Sequence, residues 1–105
     1  MARFDVYATP GRHADSTPYL LDVQSDLLDG LDSRVVIPLR RRERFPAVPL
    51  ADRLTPTLSI AGAEFILETP KMGAVPRRAL GAPVASLAAE REGITAAVDF
   101  LFQGF

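Results

Sequence analysis

Large apolar residues alternate with small or polar ones in Phe4-Asp5-Val6-Tyr7-Ala8, the period of a half-buried strand. Beyond a loop bounded by Pro10 and Pro18, Tyr19-Leu20-Leu21-Asp22-Val23-Gln24 reads as a second strand. Arg34-Val35-Val36-Ile37-Pro38-Leu39 reads as a third, β-branched and buried until Pro38 breaks the ladder or marks a bulge. Residues 40–56 have no clean period and are expected to form a loop with a short excursion. Thr57-Leu58-Ser59-Ile60 and Glu64-Phe65-Ile66-Leu67-Glu68-Thr69 then flank Ala61-Gly62-Ala63, a hairpin whose glycine admits positive φ. Met72 to Pro76 and Arg77 to Leu80 add one further short strand that ends at Gly81. From Pro83 the period changes: Val84, Leu87, Arg91, Ile94, Val98, Leu101 and Phe105 recur at three-four spacing, predicting a helix over about 84–103. Gly93 interrupts that stripe, and Gly104 is a natural stop. Several short strands closed by one helix predict a mainly β domain, a small barrel or sandwich with a C-terminal helix.

Composition narrows the function classes. A chain of 105 residues is expected to form a single domain, 1–105, with a core large enough to need no staples. No apolar run approaches the ~20 residues of a membrane span, and the start of the chain lacks the pattern of a signal peptide. With no cysteine, disulfides, thiolate metal sites and cysteine nucleophiles drop out together. These features predict a soluble, cytoplasmic protein. A formal net charge of −1 supplies no global field toward nucleic acid. The local exception is Arg40-Arg41-Arg42-Glu43-Arg44, either a solvated loop or a site for phosphate or an acidic partner segment.

Catalytic and metal chemistry find few residues. His13 is the only histidine and sits in a Pro-Gly loop, so a two-histidine zinc site is impossible within one chain and no nucleophile elbow surrounds it. Glycine-rich phosphate loops are absent. The expectation is a protein without catalytic residues, metal or cofactor.

One motif is more specific. Asp22-Val23-Gln24-Ser25-Asp26-Leu27-Leu28-Asp29, followed by Val35-Val36-Ile37-Pro38-Leu39, resembles the CcdB family of plasmid-type and chromosomal toxins. Phe4-Asp5-Val6-Tyr7 at the start, Met72-Gly73-Ala74-Val75-Pro76, and the ending Phe102-Gln103-Gly104-Phe105 fit the same family in order and spacing. The resemblance implies a small SH3-like β-barrel with an additional short antiparallel sheet, a C-terminal helix and a two-fold homodimer. It also implies a non-enzymatic toxin of a type II toxin–antitoxin system, serving plasmid maintenance in plasmid-borne members. Such a toxin binds the DNA gyrase A subunit, traps the cleavage complex as a topoisomerase poison, and is neutralised by an antitoxin with a disordered C-terminal segment.

Carried over residue by residue, the resemblance places gyrase-binding positions at Leu27, Leu28, Asp99, Phe102, Gln103, Gly104 and Phe105. Antitoxin-binding positions are Leu27, Leu28, Asp99 and Phe105. Leu27 and Leu28 stand where the family has two isoleucines, and Asp99 where it has an asparagine. Asp22, Gln24, Ser25 and Asp26 are read as structural, capping a turn after the second strand. The departure is Gln103, where the family has a tryptophan that stacks on an arginine of gyrase. Losing a desolvated cation–π pair costs on the order of 2 kcal/mol, roughly thirtyfold in affinity; Phe105 is the ring expected to compensate. Two other readings remain. One is a toxin-fold endoribonuclease using Arg40–Arg44 as an RNA groove and Asp22 or Glu68 as base. The other is a degenerate member that binds antitoxin and no longer poisons gyrase.

Overall fold

The computed structural model describes residues 1–11, 15–44 and 52–104. His13 and Phe105 lie outside them. Among the described residues seven strands, β1 (Asp5–Ala8), β2 (Tyr19–Asp22), β3 (Ser33–Arg41), β4 (Thr57–Ile60), β5 (Ala63–Leu67), β6 (Gly73–Pro76) and β7 (Ala85–Ser86), precede one α-helix, α1 (Arg91–Gln103). The strands pair antiparallel in the order β4-β5-β3-β2-β1-β7, with β6 on β3, and curl into a nearly closed barrel. The expected mainly β class, barrel and C-terminal helix are therefore present.

Strand β3 organises the sheet. One edge pairs with β2 along its length, Asp22 opposite Val36 and Tyr19 opposite Leu39. Its other edge changes partner: residues 33–36 pair with β6, and Leu39 to Arg41 pair with β5. Pro38 stands at the changeover, where its missing N–H interrupts nothing and its carbonyl accepts the Glu68 N–H at 2.9 Å. The short added antiparallel piece is thus β6, branching from the barrel sheet.

Alternation then sorts the side chains. Val6, Leu21, Ile37, Leu39, Leu58, Ile60, Phe65 and Leu67 face inward and form the core with Ile94 and Ala97 of α1. Tyr7, Leu20 and Val36 occupy the opposite face, covered by Leu80. Phe4 enters β1 with φ of 75°, an unfavourable region for a bulky residue. Its N–H donates to the Asp22 carbonyl and its own carbonyl accepts from Leu87, so both backbone groups hold it there.

Three expectations change. The helix begins at Arg91, seven residues later than the periodicity predicts, because Ala85 and Ser86 pair with Val6 and Asp5 on the otherwise open edge of β1. Unpaired edge N–H and C=O groups outweigh a weak helical period, and Val84 is left exposed. Gly93 consequently lies in the exposed first turn, not mid-helix. Arg77–Ala79 forms a 3-10 turn instead of strand, with the Arg77 N–H donating to the Asp32 carbonyl at 2.7 Å. Arg40 and Arg41 belong to β3, and Arg42–Arg44 form a 3-10 turn; the rest of that segment, 45–51, lies outside the described residues.

The β4–β5 hairpin has a two-residue turn, Ala61 at φ 51° and Gly62 at φ 84°, with Ile60 paired to Ala63. Both φ values positive is the type I′ arrangement, which suits glycine or asparagine and strains alanine. Ala61→Asn is expected to raise the unfolding free energy by about 0.5–1 kcal/mol in urea denaturation.

Candidate functional site

The polar members of the Asp22–Asp29 motif turn inward. Asp22 and Arg34 have no solvent exposure, and Arg34 Nε donates to Asp22 Oδ2 at 2.8 Å, with Nη2 at 2.7 Å from the same oxygen. Asp22 Oδ1 accepts the Gln24 N–H at 3.0 Å. Gln24 bridges the two sides of the loop: its Nε2 donates to the Leu28 carbonyl at 3.1 Å, and its Oε1 accepts the Val35 N–H at 3.0 Å. Ser25 Oγ accepts the Leu27 N–H at 3.2 Å and starts a 3-10 turn over Asp26–Leu28. Asp26 Oδ1 accepts the Arg3 N–H at 2.7 Å. Asp29 closes the loop, its Oδ1 3.3 Å from Arg34 Nη1 and 3.7 Å from Arg77 Nη2, while its carbonyl accepts from Arg77 Nη1.

This framework holds apolar side chains in solvent. Leu27 is 94% exposed, and Leu28 and Leu31 are about half exposed. A 3-10 turn whose base is braced by the Asp22, Gln24, Ser25 and Asp26 hydrogen bonds can carry leucines outward without collapsing onto the barrel. The expectation that Asp22, Gln24, Ser25 and Asp26 are structural matches this geometry. Arg34, the cation that completes it, went unremarked in the sequence. Its role depends on strand register: Arg34 is the diagonal cross-strand neighbour of Asp22 once Asp22 pairs with Val36.

The second group of candidate residues lies on α1. Ile94 and Ala97 anchor the helix, and Val98 packs partly against the core. Asp99, Phe102, Gln103 and Gly104 are exposed, Phe102 by 70%. Gly104 takes the left-handed conformation at φ 78° and donates its N–H to the Phe100 carbonyl at 2.9 Å, a C-terminal stop that a side chain would strain. Phe100, half-buried on another side of the helix, carries Arg53 over its ring at 5.4 Å. Among the described residues no hydrogen bond, ion pair or ring contact joins the Leu27–Leu28 turn to Asp99–Gly104. The candidate residues therefore form two exposed patches on separate elements.

Burial raises the Asp22 pKa above its ordinary 3.8; the hydrogen bonds from Arg34 and the Gln24 amide pull it back without cancelling that effect. Burial also raises the Tyr7 pKa, with Asp5 and Asp22 adding to it, and the Tyr7 hydroxyl has no hydrogen-bond partner among the described residues. No group of three or more His, Asp or Glu side chains that could hold a metal occurs among the described residues, and none of their helices is long and apolar enough to cross a membrane.

Two consequences are measurable. Arg34→Met strips Asp22 of its ion-pair partner and is expected to cost about 3 kcal/mol or more in urea unfolding, whereas Asp22→Asn leaves Arg34 its contact with Asp29 and costs less. A carboxyl whose folded pKa is raised binds its proton more tightly when folded. Its contribution is full below pH 3.8 and is lost as the pH climbs through the folded value. Stability curves of the natural chain and Asp22→Asn, measured from pH 3 upward, are expected to differ in that direction.

A family model described as CcdB protein matches residues 3–104. That match spans the barrel, the Leu27–Leu28 turn and the helix end alike, and by it the chain belongs to the CcdB family of toxins from toxin–antitoxin systems.

Proposed function

We propose that the chain poisons DNA gyrase by occupancy, binding the gyrase A subunit as a homodimer and trapping the cleaved complex, and that a cognate antitoxin with a disordered C-terminal segment removes it. The observation that carries this reading is the pair of outward-facing patches. Leu27 and Leu28 stand on a turn braced by a buried ion pair, and Asp99, Phe102 and Gln103 stand on the terminal helix. Both coincide with the positions at which the family resemblance puts contact residues. Neither patch contains an acid–base pair, which suits a protein acting by shape and contact in the cytoplasm of its host.

The residues an endoribonuclease would require are otherwise engaged. Asp22 is fully buried against Arg34, and Glu68 lies 3.5 Å from Lys71 and 3.9 Å from Arg40. The arginine run divides between clefts: Arg41 and Arg42 line one with Glu43 and Glu64, with Arg41 Nε donating to the Asp15 carbonyl and Arg42 Nη1 to Thr57 Oγ1, while Arg40 lines another. At the position of the family tryptophan, Gln103 offers a partner arginine only its carbonyl oxygen. Phe102 is the exposed ring that the described residues place beside it. The degenerate reading draws its support from that same substitution.

The deciding measurement uses purified protein with gyrase and supercoiled plasmid, and separately with RNA. Linearised plasmid that persists after protein removal, with intact RNA, is the expected result; RNA degradation in the absence of gyrase points to the endoribonuclease, and antitoxin binding without cleavage to the degenerate member. Leu27→Asp and Phe102→Ala are each expected to lower gyrase affinity tenfold or more, about 1.4 kcal/mol, with unfolding curves unchanged because both side chains are solvent-exposed.

A further inference from the structure

The arginine run contains one member that the toxin reading leaves unused. Arg40 lies on the outer face of β3, beside Pro38 and Leu20, and lines an open cleft of about 400 Å³ together with Thr9, Glu68 and Lys71. A cleft of that size lies within the usual range for small-ligand sites. Two buried polar atoms of these lining residues, Arg40 Nε and Thr9 Oγ1, have no hydrogen-bond partner among the described residues. Arg40 is itself only loosely paired, its Nη1 3.9 Å from Glu68 Oε2, and Glu68 is shared with Lys71 at 3.5 Å. Two cations on one carboxylate leave a surplus of one positive charge beside an uncommitted guanidinium edge.

We propose that this cleft is a binding site for a carboxylate, gripped when rotation of the part-exposed Arg40 side chain turns its now water-inaccessible Nε edge into the cleft as a fork, with the Thr9 hydroxyl as an additional donor. A planar carboxylate matches a guanidinium edge in a bidentate fashion. The single surplus charge balances a monoanion, whereas a phosphate dianion meets Glu68 as a second negative neighbour. Leu20 and Pro38 provide an apolar wall for the stem of such a ligand, as in the acidic side chain of a peptide. The site shares no residue with the Leu27–Leu28 turn or the helix end, so it stands or falls independently of gyrase binding.

Nuclear magnetic resonance titration of the ¹⁵N-labelled full chain tests this, using sodium propionate, with inorganic phosphate and sodium chloride at matched ionic strength. The amides of Thr9, Arg40, Glu68 and Lys71 are expected to shift together with propionate and to saturate with a Kd on the order of 1–10 mM. Phosphate should bind about threefold more weakly or worse, and chloride should give no saturating shift. Arg40→Lys keeps the charge and loses the fork, so it is expected to weaken propionate about fivefold. Thr9→Val, close in shape, should weaken it about twofold and serves as the second variant if Arg40→Lys disturbs the fold. No saturation with propionate, unchanged affinity in both variants, or tighter binding of phosphate overturns the proposal.

Discussion

The buried pair of Asp22 and Arg34 is the interaction on which the outward architecture depends. Both side chains are excluded from water, and burial, with a lesser contribution from the Asp5 carboxylate, raises the Asp22 pKa despite the guanidinium beside it. Such a pair adds little net stability over well-packed apolar residues, because desolvation consumes most of the attraction. What it supplies is position. Arg34 reaches Asp22 in β2 and Asp29 at the far side of the loop, and Arg77 after β6 grips Asp29 in turn. Sliding β2 on β3 by one residue would turn Asp22 toward the barrel core and away from Arg34. Register and loop geometry are thereby linked through one guanidinium.

That linkage explains how a small barrel keeps leucine at 94% exposure in a defined place. An apolar side chain on a mobile loop would fold back onto the sheet or sample many orientations, and a partner would have to offset that entropy on binding. Here Gln24 spans the loop, Ser25 opens the 3-10 turn, and Asp26 fastens it to the backbone of Arg3. The changeover of β3 from β6 to β5 serves the same end. By letting Pro38 sit where no donor is needed, it frees the first half of β3 to bind β6, which brings Arg77 to the loop.

Strands with strong alternation were legible in the sequence, as was the Ala61-Gly62 turn, because local period and turn chemistry agree there with the fold. The start of the helix was not. Val84 and Leu87 fall on the three-four stripe, yet Ala85 and Ser86 are drawn into β7 by the exposed edge of β1, a demand no local pattern records. The Arg77 turn failed for a similar reason, since its partner Asp32 lies 45 positions away in the chain. In the motif, the polar residues were legible as structural, but the central role of Arg34 required the strand register. The positions of Leu27, Leu28 and Phe102 followed from family resemblance; their exposure followed only from the fold.

The helix end shows how contact chemistry and stability pull in opposite directions. The last turn of α1 contains no basic residue, and Asp99 places a carboxylate near the end where backbone carbonyls already concentrate partial negative charge. For an isolated helix that arrangement is unfavourable by about 0.3–1 kcal/mol. No cation pairs with Asp99 among the described residues, although Arg53 lies over Phe100 one position along. Under the proposed function, the negative potential left at the tip is what a cationic partner residue would meet, with the face of Phe102 beside it. A ring and a carboxylate three positions apart on a helix are neighbours, so under that proposal a cationic partner residue would meet charge and ring quadrupole together at the place where the family resemblance implies an indole face.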